Sequence, residues 1–162
     1  MSTKVRKSSY RQKGAAAVEF ALMLPLLVLM LMAPLFLAVC FWHYTAAHKA
    51  AQNGARYLST ISEAEMRVPA LAAAAKLHAE AIVRSDLAEL FPKGNAIAVV
   101  TYCGEAGSGA RNLCTGVGNG PLPESVDISV QFWLKDGLFK FFNTGRYGWS
   151  ISVVATVPYA SA

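Results

Sequence analysis

Apolar and polar residues divide this chain into three regimes. Residues 1–14 are polar and basic and carry no apolar spacing on which a fold could be built. From Phe20 to Tyr44 no Asp, Glu, Lys or Arg occurs. Beyond Tyr44 the pattern becomes periodic, first at helical and then at strand spacing. Ala, Leu and Met dominate from Ala15 onward and favour helix. Phe20 to Trp42 is about 23 residues, or about 35 Å of helix, enough to cross a bilayer core of about 30 Å. Pro25 and Pro34 each remove a backbone donor, so a kink is expected near either, tolerable where neighbouring helices pack. The helix is expected to continue through the alanine-rich Thr45–Leu58, whose polar residues share one side, and to end near Leu58 to Thr60. Gly54 weakens its last turn.

A second helix follows. Ser62-Glu63-Ala64-Glu65 has the spacing of a capping box, and Pro69 is equally suited to the first turn of a helix starting a few residues later. Leu71, Ala74, Ala75, Leu77, Ala81, Ile82, Leu87 and Leu90 form the expected apolar face, Lys76, Glu80, Arg84 and Glu89 the polar one, and Pro92 with Gly94 ends the helix. Three strands are expected: Ala96–Tyr102, Ser125–Leu134 and Ser150–Val157. The middle one alternates most clearly, with Val126, Ile128, Val130, Phe132 and Leu134 against polar neighbours. The apolar connection Gly137–Asn143 reads as a short helix or a hairpin extension, its aromatics tucked under the sheet or forming a contact patch. The resulting class is α+β: a long N-terminal membrane helix, a second amphipathic helix and an antiparallel sheet of about three strands with one face on the helix. The chain divides into a basic leader (1–14), the membrane and extended helix (15–60) and a small domain (61–162).

Charge refines this division. The formal charge of +5 comes entirely from Lys4, Arg6, Lys7, Arg11 and Lys13, because the remaining basic residues are balanced by 10 acids, all beyond Gly14. The part after Gly14 lacks the electrostatic footprint of a nucleic-acid binder, and no nucleic-acid motif is present. The basic cluster is a topology signal: it places the N-terminus in the cytoplasm and the domain across the membrane. A cleavable secretory signal has a shorter apolar core, typically about 7–15 residues, and no introductory glutamate. A lipoprotein signal needs a small residue before the acylated cysteine, where Val39 precedes Cys40.

Glu19 stands at the mouth of the apolar run. A charge at the centre of a membrane helix costs about 2.5–3.5 kcal/mol, less near an end, so an acid here requires a reason. Cys103 and Cys114 bracket a Gly-rich segment that reads as a loop closed by a disulfide in an exported domain; two free thiols are the alternative, and no further cysteine pair or nearby histidine completes a zinc site. Cys40 lies in the apolar segment as a small hydrophobe. His43 and His48, five apart, do not share a helix face well, and Trp42 and Tyr44 fit as interface anchors. No nucleophile elbow, phosphate loop or metal-ligand spacing occurs, so no catalytic residue, metal or cofactor is expected.

Gly14 after a basic leader, Glu19 five residues on, Phe20 and the apolar run with Pro25 together resemble a type IV prepilin processing site. The stretch Arg11–Leu27 is similar to the opening of the Tad-type minor pilins, TadE and TadF, and the resemblance extends over residues 11–45. The chain departs from many members at the far end of the apolar run, where Ala33-Pro34 and Cys40-Phe41-Trp42-His43 stand in place of a second acid. The resemblance implies cleavage between Gly14 and Ala15 by a membrane-embedded prepilin peptidase. It also implies that Glu19, beside Phe20, registers each subunit on the new N-terminus of a neighbour. The implied partners are that peptidase, other pilin subunits and the Tad assembly platform, in the bacterial inner membrane and with no nucleic acid. The implied role is structural: a minor subunit serving pilus assembly, surface adhesion or secretion. A permanently anchored binding module with an uncut N-terminus is the alternative.

Overall fold

The computed structural model describes residues 12–90, 97–105, 111–134 and 148–160. Helix α1 runs unbroken from Gln12 to Ser59, through both Pro25 and Pro34. It belongs to two compact units, residues 1–39 and 40–162. In the first unit the side chains from Gly14 to Leu35 are almost all exposed, including Leu22, Leu26, Met30 and Leu31. Such a surface is stable where lipid or other apolar helices surround it.

In the second unit, α1 buries Ala47, Ala50, Ala51, Ala55 and Leu58 and leaves Lys49, Gln52, Asn53 and Arg56 exposed, the one-sided pattern its spacing predicts. Both candidate starts for the next helix are used. Ser62 caps the one-turn helix α2 (Glu63–Arg67) in a reciprocal capping box: its hydroxyl accepts from the Glu65 amide, and the Glu65 carboxylate accepts from the Ser62 amide at 3.1 Å. Pro69 then opens α3 (Pro69–Leu87). The turn that follows reaches Leu90, and Pro92 and Gly94 lie outside the described residues, as does Gly137–Asn143.

The buried face of α3 differs from the expected one. Ala72, Ala79, Val83 and Leu87 are buried, whereas Leu71 and Leu77 are 49% and 66% exposed. Close packing decides this. A Cβ placed on Gly54 of α1 would lie 2.6 Å from a Val83 methyl, 2.9 Å from Ile128 Cδ1 and 3.2 Å from the Ala79 carbonyl. Backbones this near accept small side chains such as Ala79 and the β-branched Val83 at the contact. Lys76 and Glu80 flank the seam half-buried, their charges 3.9 Å apart, and the Thr101 hydroxyl donates to Glu80 at 3.4 Å.

The sheet is antiparallel with four strands in the order β2-β1-β3-β4: β1 Ala98–Glu105, β2 Arg111–Leu113, β3 Pro123–Leu134 and β4 Trp149–Pro158. About three strands are expected from pattern; the fourth, β2, is too short to show alternation. It forms because its register on β1 (Tyr102 opposite Leu113, Cys103 opposite Asn112) is held beside a bond between Cys103 and Cys114. The helix-facing side of the sheet carries Val99, Thr101, Val126, Ile128, Val130, Phe132, Val153 and Ala155, all buried, and with Leu58, Met66, Val83 and Leu87 they form the core.

Candidate functional site

The processing and assembly residues named from sequence all lie on the first turns of α1. Gly14 and Ala15 are exposed, and among the described residues nothing beyond the helix's own turn comes within 4 Å of where a Gly14 Cβ would stand. The peptide bond between them is helical, and glycine there propagates helix poorly. Opening it for a protease therefore costs little. Glu19 and Phe20 are exposed at the entry to the apolar run, with Phe20 63% accessible. Ala15 and Glu19 are four apart on one helix and share a face.

In the second unit, Cys103 and Cys114 are disulfide-bonded with Cα atoms 5.1 Å apart. The chain beyond Cys114 is pinned to α2. The Val117 amide donates to the Met66 carbonyl at 3.1 Å, and Arg67 spans from Glu63 (2.7 Å) to the carbonyls of Gly118 and Gly120, each at 3.2 Å. Gly116 is required there: its φ is +91°, and a Cβ would fall 2.7 Å from Pro69 Cα. Tyr159 closes the other end by donating to the Ile61 carbonyl at 2.9 Å, with burial and then the Glu63 and Glu65 carboxylates raising its phenol pKa above the usual value. Arg67 carries no signal in sequence, because its acceptors are backbone groups some fifty residues away. Replacing both Cys103 and Cys114 with serine is expected to cost about 2–3 kcal/mol for a loop of this length. The readout is a lower denaturant midpoint than wild type, matched by wild type under reducing conditions.

His48 stacks on Tyr44 with ring centroids 6.3 Å apart and faces Gln52 rather than His43. Among the described residues, no three His, Cys, Asp or Glu side chains gather as a metal would require. Sequence reading missed a polar cleft between α1 and the end of α3, where Lys49 and Asn53 meet Asp86 and Glu89. Only the helix pairing brings these four together.

Helix α1 is apolar and exposed over its first part and packs against a small α+β domain over its second. Among the described residues α1 is the one helix long and apolar enough to cross a membrane. Residues 14–56 match the family model described as TadE-like protein, so this stretch of the chain is TadE-like. No curated protein matches the chain, and no solved structure does. The matched segment starts at Gly14 and reaches Arg56, past the apolar run and into the helix that packs on the sheet. Over residues 14–56 the chain is thus similar to TadE-like proteins, and that stretch includes the membrane-length apolar part of α1.

Proposed function

We propose that the chain is a precursor of a minor pilin or pseudopilin of a Tad-type pilus, cut between Gly14 and Ala15 by a prepilin peptidase. It sits in the inner membrane with its N-terminus cytoplasmic and its domain outside, and joins the fibre or its assembly platform. The observation that carries this reading is the family match beginning at Gly14, with an exposed Glu19 one turn beyond the Ala15 that becomes the new N-terminus.

Cleavage changes the chemistry of that turn. It removes the five excess positive charges, leaves a formally neutral chain and creates an α-amino group on Ala15. Glu19 then lies in the first turns of the mature helix, where the helix dipole favours a negative charge. In a poorly hydrated bundle its attraction for a neighbour's α-amino group exceeds the value in water, while desolvation offsets part of the gain. Glu19 thereby sets the register of one subunit on the next.

Protein recovered from membranes is expected to begin at Ala15 by N-terminal sequencing or intact mass. A chain that still begins at Met1 in cells with an active prepilin peptidase would favour the permanently anchored module. Glu19→Ala is expected to leave cleavage intact and to lower incorporation into sheared fibres by about tenfold or more, the loss of one partly buried charge pair. Normal incorporation of that variant would remove the registration role.

A further inference from the structure

We infer that the cleft between α1 and the end of α3 binds the headgroup of phosphatidylethanolamine, a zwitterionic membrane phospholipid that carries a primary ammonium. The inference rests on the reading that α1 spans the membrane with the domain outside. The cleft has a volume of about 420 Å³ around Lys49, Asn53, Asp86 and Glu89, and it opens into a second space of about 580 Å³ bounded by Trp42 and Leu90. Trp42 is 68% exposed and ends the apolar run of α1, the height at which lipid headgroups meet water.

Among the described residues no ion pair joins Lys49 to Asp86 or Glu89. Asn53 donates to one oxygen of Asp86 at 2.9 Å and holds that carboxylate in place. The side chains of Lys49 and Glu89 make no ion pair or hydrogen bond among the described residues. One cation and two carboxylates therefore face the same space without pairing.

A phosphoethanolamine headgroup matches this set group by group. Its phosphate is a partner for the Lys49 ammonium, and its own ammonium offers three N–H donors to Asp86 and Glu89. The Trp42 ring can cover that ammonium from the apolar side, while the acyl chains remain in the bilayer. A choline headgroup has no N–H and would leave both carboxylates without a donor. A phosphatidylglycerol headgroup brings a negative charge to two carboxylates and supplies no ammonium to offset it.

The test uses the full-length protein, purified in detergent and equilibrated with equal amounts of phosphatidylethanolamine, phosphatidylcholine and phosphatidylglycerol, with retained lipid read by native mass spectrometry. Phosphatidylethanolamine is expected to be retained about three- to tenfold over either competitor, the scale of a few charge-assisted contacts at a partly exposed site. The double variant Asp86→Asn with Glu89→Gln, and separately Lys49→Ala, should bring that ratio close to one without changing the melting temperature. Equal retention of the three lipids, a preference for phosphatidylglycerol, or a preference unchanged in the variants would overturn the assignment. Glycerophosphoethanolamine, which lacks acyl chains, should leave no adduct; retention equal to that of the lipid would make a soluble headgroup the source. Resistance of the chain to alkaline extraction from membranes is scored in parallel, so that a failed membrane reading is distinguished from a failed headgroup site.

Discussion

Cells producing the Gly14→Phe variant are expected to accumulate an uncut chain that begins at Met1, with cleavage slowed by on the order of 100-fold, the usual effect of displacing a scissile bond from its productive position. The structure makes this a clean experiment. Among the described residues, nothing beyond the helix's own turn lies within 4 Å of a Gly14 Cβ, so a large side chain there meets no packed neighbour among them. Any loss of processing then reports on the approach of the protease to the backbone, for which glycine leaves room. Gly14→Ala is the matched control and should be cleaved far better than the phenylalanine variant. Intact mass of the membrane fraction reads both, and rapid cleavage of Gly14→Phe would displace the site from Gly14-Ala15.

Gly54→Leu is expected to be the most damaging substitution in the domain. At an exposed helical position, replacing glycine improves helix stability by up to about 1 kcal/mol. Here the new Cβ would collide with Val83, Ile128 and the backbone of Ala79. Val83 is β-branched and stiff, and a carbonyl moves only with its helix. Overpacking of one or two methylenes costs about 1–3 kcal/mol, so Gly54→Ala should be destabilising on balance. Leucine exceeds the available space several-fold and should remove most of a stability that is typically about 5–15 kcal/mol. Thermal unfolding of the full chain in detergent, followed by circular dichroism, measures this. An unchanged midpoint for Gly54→Leu would mean that α1 does not pack on α3 there.

The two glycines show how differently a sequence discloses site and fold. The role proposed for Gly14 rests on neighbours in linear register: the basic cluster before it, Glu19, Phe20 and Pro25 need no folding to be recognised. Gly54 reads as a weak point of the last turn of α1, yet it is where helix, helix and sheet come closest. Its partners, Val83 and Ile128, are distant in sequence. The buried face of α3 was obscured for the same reason. Leu71 and Leu77 are the more hydrophobic candidates, but the buried positions are Ala72, beside Gly116, and Ala79 and Val83, against Gly54.

What the sequence alone determined is what depends on local periodicity and charge: the apolar helix, the capping box at Ser62, the alternation of β3 and the cluster of positive charge before Gly14. Each rests on residues within a few positions of one another, where backbone geometry dictates which side chains are neighbours. The tertiary structure alone decided which face of α3 is buried, the β2-β1-β3-β4 order, the short β2 beside its disulfide and the mixed-charge cleft between α1 and α3. Those features depend on shape complementarity between distant segments, which hydrophobicity, being non-directional, does not encode.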